Sequence, residues 1–212
     1  MPDPETRRPL ASRQTGWAQY LARRLAGTRI TPNRISQAGM VAALLSGACF
    51  WAAGVASGGE RALALLAGAA FCQFRLLCNL LDGMVAIEAG RAAPDGAFWN
   101  ELPDRVADAL ILVGLGLGLG VPALGWAATS LAFLTAYIRE LGARLGQGTD
   151  FSGPMAKPHR MAAVTGAAVL SLAEPLWQGD GGLLLAGLWI ITIGTALTAL
   201  RRGNRLVAKL RG

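Results

Sequence analysis

Residues 106–138 read VADALILVGLGLGLGVPALGWAATSLAFLTAYI, and this stretch decides the fold class. It contains 33 residues and a single charged side chain, Asp108. A helix crosses the hydrocarbon core of a bilayer in about 20 residues, so the stretch is too long for one crossing and suits two. We expect the break at residues 120–122, where a glycine and a proline interrupt the pattern. The alternating Leu and Gly residues would also suit a strand, but an isolated strand in lipid leaves its backbone unpaired.

Further apolar segments lie on both sides of this stretch. They span residues 35–56, 61–81, 161–177 and 182–200. Together with the central stretch they predict an all-α polytopic membrane protein with six transmembrane helices. The composition agrees, because 53% of the 212 residues are apolar and only 16% are charged, whereas charged residues make up about 25% of soluble domains. Disorder and a soluble basic domain are both excluded by these proportions.

The chain divides into four predicted segments. Residues 1–13 are expected to be disordered, 14–29 to form an interfacial amphipathic helix, 30–201 to form the six-helix domain and 202–212 to form a basic tail. Trp17, Tyr20, Leu21 and Leu25 recur at helical spacing in the second segment, which is typical of a helix lying in the lipid interface. An amphipathic helix packed on the protein itself explains the same pattern.

The distribution of charge predicts the topology. Seven arginines precede the first span, and basic residues also occupy the connection between spans four and five and the C-terminal end. The opposite connections hold Glu60, Glu174 and Asp180, with Arg61 as their one basic residue. By the positive-inside rule both termini are cytoplasmic, as six spans require, and the inner membrane is the expected location. The basic residues flank apolar segments and do not interleave with aromatics, so no nucleic-acid partner is expected.

Polar residues inside the apolar segments concentrate between residues 75 and 108. Arg75, Asn79 and Asp82 share one helix face, and so do the residues Asn100, Asp104 and Asp108. Two helices joined by a short loop pack antiparallel, which brings both faces together near the cytoplasmic surface. Carboxylate and amide oxygens suit a hard divalent cation. Buried ion pairs of the acids with Arg75 and Arg105 are an equally good explanation.

The same region resembles the signature of the CDP-alcohol phosphotransferases, D-x-x-D-G-x-x-A-R, about eight residues, then G-x-x-x-D-x-x-x-D. Residues 79–86 read NLLDGMVA and residues 96–104 read GAFWNELPD, with matching spacing. The TPN at 31–33, the Arg-Glu pair at 139–140 and the basic segment 153–160 also look like this family. The resemblance extends over residues 30–200.

The signature departs from the family pattern at three positions. Asn79 and Asn100 stand at the first and third acidic positions, and Ile87 replaces the arginine. In the family, four carboxylates hold two divalent ions and the last carboxylate also serves as the base. The resemblance therefore implies Mg²⁺ or Mn²⁺ as cofactor, held here by two fewer carboxylates.

The resemblance implies a phosphatidyltransferase that moves a phosphatidyl group from CDP-diacylglycerol to a small alcohol acceptor and releases CMP. Asp104 corresponds to the base, and the expected metal ligands are Asn79, Asp82, Asn100, Asp104 and, one turn further on, Asp108. The nucleotide and diphosphate are expected at Asn33, Gly83, Ala86 and Gly96, with Arg91 or Arg105 replacing the family arginine. The cations expected to bind a phosphorylated acceptor, such as glycerol 3-phosphate, are Arg139, Arg144, Lys157, His159 and Arg160. A homodimer surrounded by membrane phospholipids is also implied.

Two other functions are compatible with the sequence. The asparagines and Ile87 suit a family member that has lost catalysis and binds lipid or nucleotide. A small transporter would need polar residues through the whole depth of the membrane, whereas they crowd at one end here.

Overall fold

The computed structural model describes residues 15–90, 95–177 and 181–211, and within these ranges the chain forms helices joined by turns, with no strand. The helices are α1 (Gly16–Ala26), α2 (Pro32–Val55), α3 (Gly58–Glu88), α4 (Gly96–Gly118), α5 (Pro122–Arg144), α6 (Lys157–Leu170) and α7 (Gly182–Arg211), with a 3₁₀ helix at Ser171–Trp177. The all-α class is thereby confirmed. The disorder predicted for residues 1–13 lies outside the described residues.

The break within the decisive apolar stretch falls where it was expected. Helix α4 ends at Gly118 and α5 begins at Pro122. Gly120 has φ +69°, a conformation that costs glycine little, and Pro122 takes the first helical position, where its missing N–H is not needed.

Among the described residues, three helices are long and apolar enough to cross a membrane, namely α2, α3 and α7. Helix α6 has only 14 residues before the 3₁₀ helix continues it, and α4 begins with a charged segment. These features depart from six uniform apolar spans, so the count of six stays a prediction.

Close packing of α2 against α4 depends on glycine. A methyl group added at Gly47, Gly54, Gly114 or Gly118 would overlap backbone atoms of the facing helix. Gly114 and Gly118, four residues apart on α4, therefore form a small-residue pair that allows close helix packing. Gly116 and Gly120 have the same spacing but separate roles. Gly116 packs against Gly125 of α5, whereas Gly120 lies in the turn after α4.

We expect Gly114→Ala to lower the thermal stability of the protein in detergent. Its new methyl group would meet the backbone of Gly47, and overpacking of this kind costs about 1–3 kcal/mol. Gly166→Ala on α6 is the matched control, because a methyl group there meets nothing within 4 Å and alanine favours a helix over glycine. Equal melting temperatures for the two variants would contradict the packing argument.

Helix α1 packs on the C-terminal half of α3. Ala18 and Ala22 are fully buried in a cluster with Leu81 and Val85, while Trp17 and Tyr20 remain exposed. The helix therefore does contact the protein, as one sequence interpretation held, and its aromatic side chains point away from that contact. Its location in the lipid interface stays a prediction.

The bundle has two chemically different ends. At one end Glu174 is buried and accepts hydrogen bonds from Arg61 and from the backbone N–H groups of Gly181 and Leu183 at the start of α7. The other end holds α1, the α3–α4 connection, the start of α6 and the C-terminal half of α7. Helix α7 continues through the predicted boundary at 201/202, so the basic tail is the last part of a packed helix.

Candidate active site at the junction of α3, α4 and α6

Asp82 is buried near the end of α3. Its carboxylate accepts a hydrogen bond of 2.8 Å from the Ser36 hydroxyl of α2 and one of 2.6 Å from the backbone N–H of Gly83. Within the described part of the chain, Asp82 has no ion-pair partner. This carboxylate is therefore held by neutral donors.

Asn79 and Asp104 are joined by one cation. Lys157, the first residue of α6, donates a hydrogen bond of 2.9 Å from Nζ to Asn79 Oδ1 and forms an ion pair with Asp104. Asp104 is also bound by Arg75, whose Nη2 lies 3.1 Å from Asp104 Oδ1 and 3.3 Å from its backbone oxygen. The last acidic position of the signature is thus paired with two cations.

Asp108 lies one turn beyond Asp104 and is buried with Arg160. Arg160 Nη2 is 2.6 Å from Asp108 Oδ2, and Arg75 Nη2 is 3.9 Å from Asp108 Oδ1. The ion pairs that the sequence offers as an alternative to a metal site are therefore present between Arg75 and the two acids Asp104 and Asp108. Arg105 does not pair with these acids among the described contacts, because it pairs with Glu101 on its own helix. Asp108 Oδ1 has no hydrogen-bond partner among the described residues, and the metal-ligand role of Asp108 stays a prediction.

A small pocket, open to solvent, lies beside these groups between α4, α5, α6 and α7. Asp104 and Asp108 line it together with five cations, Arg105, Arg139, Lys157, Arg160 and Arg202. Aromatic and small side chains, including Phe133, Phe151 and Ala136, complete the wall. Such a basic cavity suits an anionic ligand, since one guanidinium group forms two parallel hydrogen bonds with the oxygens of a phosphate.

Arg139 is fixed at the cavity wall by acidic and aromatic neighbours. Its Nη2 lies 2.5 Å from Glu101 Oε2 and 2.7 Å from Glu140 Oε1, and its guanidinium lies 5.5 Å from the centre of the Phe151 ring. The Arg-Glu pair of the sequence therefore orients Arg139 toward α4 and the cavity.

The start of α2 meets the connection between α3 and α4. Asn33 Nδ2 lies 3.3 Å from Asp95 Oδ2, which also accepts a bond of 2.8 Å from Trp99 Nε1. A methyl group added at Gly96 would meet no atom of the described residues within 4 Å beyond its own helix backbone. Gly83 and Ala86 are half-buried on α3.

Some predicted site residues are not brought together. Arg144 and His159 are exposed and do not line the cavity, so the structure gives them no place in an acceptor site there. Arg91 lies outside the described residues. Asn100 is part of α4, but its side chain is not described.

Two residues near the candidate site, Ser36 and Arg202, are not predicted from the sequence. Ser36 binds Asp82, and its position three residues after the TPN segment was the available signal. Arg202 is buried, donating from Nε to Ser152 O at 2.9 Å and from Nη1 to Thr135 O at 3.0 Å. The sequence places Arg202 in the basic tail, because it follows the last apolar segment.

The loop between α5 and α6 is attached to the end of α7 by charge. Burial alone would raise the pKa of Asp150, but hydrogen bonds from Ser152 and the charges of Arg202 and Arg205 outweigh it and lower that pKa. Asp150 Oδ1 accepts a bond of 2.8 Å from the Ser152 N–H, and Arg205 Nη1 lies 3.8 Å from Oδ2. The loop that carries Phe151 into the cavity is thereby held in place.

The donor set can be tested against the two divalent ions that the family resemblance implies. No three His, Cys, Asp or Glu side chains form a metal-binding group within the described ranges. Asp82, Asp104 and Asp108 are matched in number by the three cations Arg75, Lys157 and Arg160. Asp104 and Asp108 form ion pairs with these cations, whereas Asp82 is bound by Ser36. Two further divalent ions would leave a large uncompensated positive charge. The residues fit one divalent ion at Asp82, since Mg²⁺ is held by one or two carboxylates plus substrate phosphates.

The helical fold and the spaced signature resemble those of the CDP-alcohol phosphotransferases, and comparisons with known proteins show what the chain is similar to. The chain is 28% identical over 181 residues to the phosphatidylinositol phosphate synthase of Mycolicibacterium smegmatis, covering 82% of this chain and 76% of that protein. It is 25% identical over 195 residues to the enzyme of the same name from Mycobacteroides abscessus, covering 86% and 80%. No family model matches the chain.

Solved structures share the fold. The phosphatidylinositol phosphate synthase of Mycobacterium tuberculosis with CDP-DAG bound has a TM-score of 0.72 at 21% identity, covering 89% of this chain and 92% of that one. The same enzyme in complex with manganese and citrate gives a TM-score of 0.72 over 89% and 88% of the two chains, at 21% identity. These relatives are CDP-alcohol phosphotransferases, so the family resemblance is confirmed. The meaning of the variant signature stays a prediction.

Proposed function

We propose that the protein transfers a phosphatidyl group from CDP-diacylglycerol to a small alcohol that carries a phosphate, with release of CMP. The observation that carries this proposal is the juxtaposition of Asp104 with a basic, solvent-open cavity. An acceptor whose phosphate is bound by the cavity cations would present its hydroxyl near that carboxylate. Glycerol 3-phosphate and phosphorylated polyols such as inositol phosphate are the acceptor class that this charge pattern favours.

Asp104 is the proposed base. Its carboxylate lines the cavity in which an acceptor hydroxyl would lie, so it is placed to accept the proton of that hydroxyl. The hydroxyl oxygen then forms a bond to the phosphorus of the phosphatidyl group, and the bond from that phosphorus to the CMP oxygen breaks. A divalent ion at Asp82, with Mg²⁺ or Mn²⁺ as candidates, would neutralise the diphosphate and the leaving CMP. The small residue Gly96 and the Asn33–Asp95 contact support a nucleotide site at this edge.

The proposed location is the inner membrane, with both termini and the active site on the cytoplasmic side. The charge distribution supports it, because the basic α5–α6 loop and the end of α7 meet at the same end of the bundle as the site, where Arg205 donates to Ser152 and Lys209 to Gln147. A homodimer remains part of the proposal by analogy with the family.

A second function is favoured by one observation. Lys157 contacts side chains at two of the four metal-holding positions of the signature. A protein that binds lipid or nucleotide without turnover would not need those positions to hold metal. A liposome assay distinguishes the two functions. The purified protein is presented with CDP-diacylglycerol and a panel of plain and phosphorylated alcohols, with and without Mg²⁺ or Mn²⁺. Release of CMP with a phosphorylated acceptor supports transfer, and its absence with every acceptor supports binding alone.

We expect Arg139→Gln to raise the KM for the phosphorylated acceptor by about 10- to 100-fold, because a charge-assisted hydrogen bond contributes roughly 1.5–3 kcal/mol. The KM for CDP-diacylglycerol should change little. Arg201→Gln is the matched control, because Arg201 is an exposed arginine of α7 that does not line the cavity. Equal acceptor KM values for the two variants would remove Arg139 from the acceptor site.

A further inference from the structure

We infer that the ammonium group of Lys157 occupies the place of one of the two divalent ions implied by the family signature, so that the site accepts no more than one divalent ion per chain. The inference concerns the same site as the proposed function and is tested without turnover. Its basis is that one side-chain cation contacts two of the four positions that hold metal in the family.

The geometry around Lys157 is that of a cation among oxygen atoms. Its Nζ lies 2.9 Å from Asn79 Oδ1 on α3 and pairs with the Asp104 carboxylate on α4. Asn79 is 78 residues away in the chain, so α6 brings the ammonium to the α3–α4 pair only through tertiary packing. Because Lys157 is the first residue of α6, its long side chain reaches the cluster from the open end of the site.

The asparagine at position 79, where the family signature has an aspartate, suits a neighbouring cation with a single positive charge. An aspartate at position 79 beside Asp104 would give two adjacent carboxylates, which a single ammonium does not neutralise. Asn79 instead offers a neutral amide oxygen, which accepts a hydrogen bond from an ammonium without adding a negative charge. The change from Asp to Asn and the presence of Lys157 are therefore parts of one charge balance.

The remaining position lies at Asp82. This carboxylate is bound by Ser36 and Gly83 and has no ion-pair partner within the described ranges, so it is the one signature acid that a divalent ion would meet unopposed. A bound diphosphate would supply further oxygens, as is usual for Mg²⁺ sites.

The test is a count of Mn²⁺ bound to the full-length protein in detergent, read from the electron paramagnetic resonance signal of the free ion. The wild-type protein should bind at most one Mn²⁺ per chain. Lys157→Met should bind Mn²⁺ at least about tenfold more tightly, because a positive charge a few ångströms from the ion is removed. Lys157→Arg, which retains the charge, should bind no more tightly than wild type.

The chain offers a matched control, since Lys157 and Lys209 are its only lysines. Lys209 is exposed near the end of α7 and donates to Gln147 O at 3.1 Å, so Lys209→Met makes the same chemical change outside the site. Gel filtration and thermal unfolding verify that each variant is folded. Asn79→Asp/Asn100→Asp/Lys157→Met, which restores the four acids, should bind two Mn²⁺ ions.

Two results would overturn the inference: two tightly bound Mn²⁺ ions per wild-type chain, or Mn²⁺ binding by Lys157→Met no tighter than by Lys209→Met. The outcome is separable from the proposed function by measuring CMP release on the same preparations. An inactive protein that binds one ion and gains affinity in Lys157→Met upholds the inference and removes the function. An active protein that binds two ions per chain supports the proposed function and overturns the inference.

Discussion

Asp104→Asn should reduce CMP release from CDP-diacylglycerol by about a hundredfold to ten-thousandfold, the usual contribution of a positioned general base. The amide retains the shape of the carboxylate and an oxygen for Arg75, so the fold should persist. It has no basicity to accept the proton of the acceptor hydroxyl. The measurement is the initial rate of CMP release in liposomes at saturating acceptor and donor.

The control for this variant is Glu60→Gln, which makes the same change from carboxylate to amide in the first turn of α3, at the opposite end of the bundle. It should retain wild-type turnover. A normal rate for Asp104→Asn would remove Asp104 from the mechanism, and a matching loss in both variants would indicate a general effect of lost acidity on the protein.

Asp108→Asn should lower the free energy of unfolding by about 3–5 kcal/mol, because it leaves Arg160 buried without the carboxylate that compensates it, while Arg75 retains only Asp104. Arg160 Nε and Arg75 Nη1 already have no hydrogen-bond partner in the described part of the chain. The described surroundings therefore offer no further acceptor to replace the Asp108 carboxylate. Thermal unfolding in detergent, read by circular dichroism, measures the effect.

Asp150→Asn is the comparison for this variant, because its ion pair with Arg205 is 3.8 Å long and partly exposed and its amide retains the oxygen that binds Ser152. Its cost should be below about 1 kcal/mol. The double variant Asp108→Asn/Arg160→Met should recover part of the stability lost in Asp108→Asn, because it removes an uncompensated charge. Equal losses for Asp108→Asn and Asp150→Asn would show that the buried pair does not stabilise the bundle.

The fold was accessible from sequence to the extent that its signals are local. The break between α4 and α5 follows from a glycine with positive φ and a proline at the first helical position, both of which act within a few residues. The extent of α7 was less accessible, because hydropathy falls at Arg201 and Arg202 although the helix continues. Arg202 is buried only because Thr135 and Ser152 offer it carbonyl oxygens from other parts of the chain.

The sequence alone determined the helical class and the break at residues 120–122. It also determined that Asn79 and Asp82 share one face of α3 and that Asp104 lies on one face of α4. These features follow from hydropathy, from backbone preferences and from the helical repeat, which are properties of short segments. Tertiary structure alone decided which cation meets which acid. It places Lys157 on Asn79 and Asp104, gives Asp108 to Arg160, and leaves Arg144 and His159 at the surface. Several arginines near one end of the bundle have the charge to pair with these acids, and only the packing of α6 and α7 against α3, α4 and α5 selects among them.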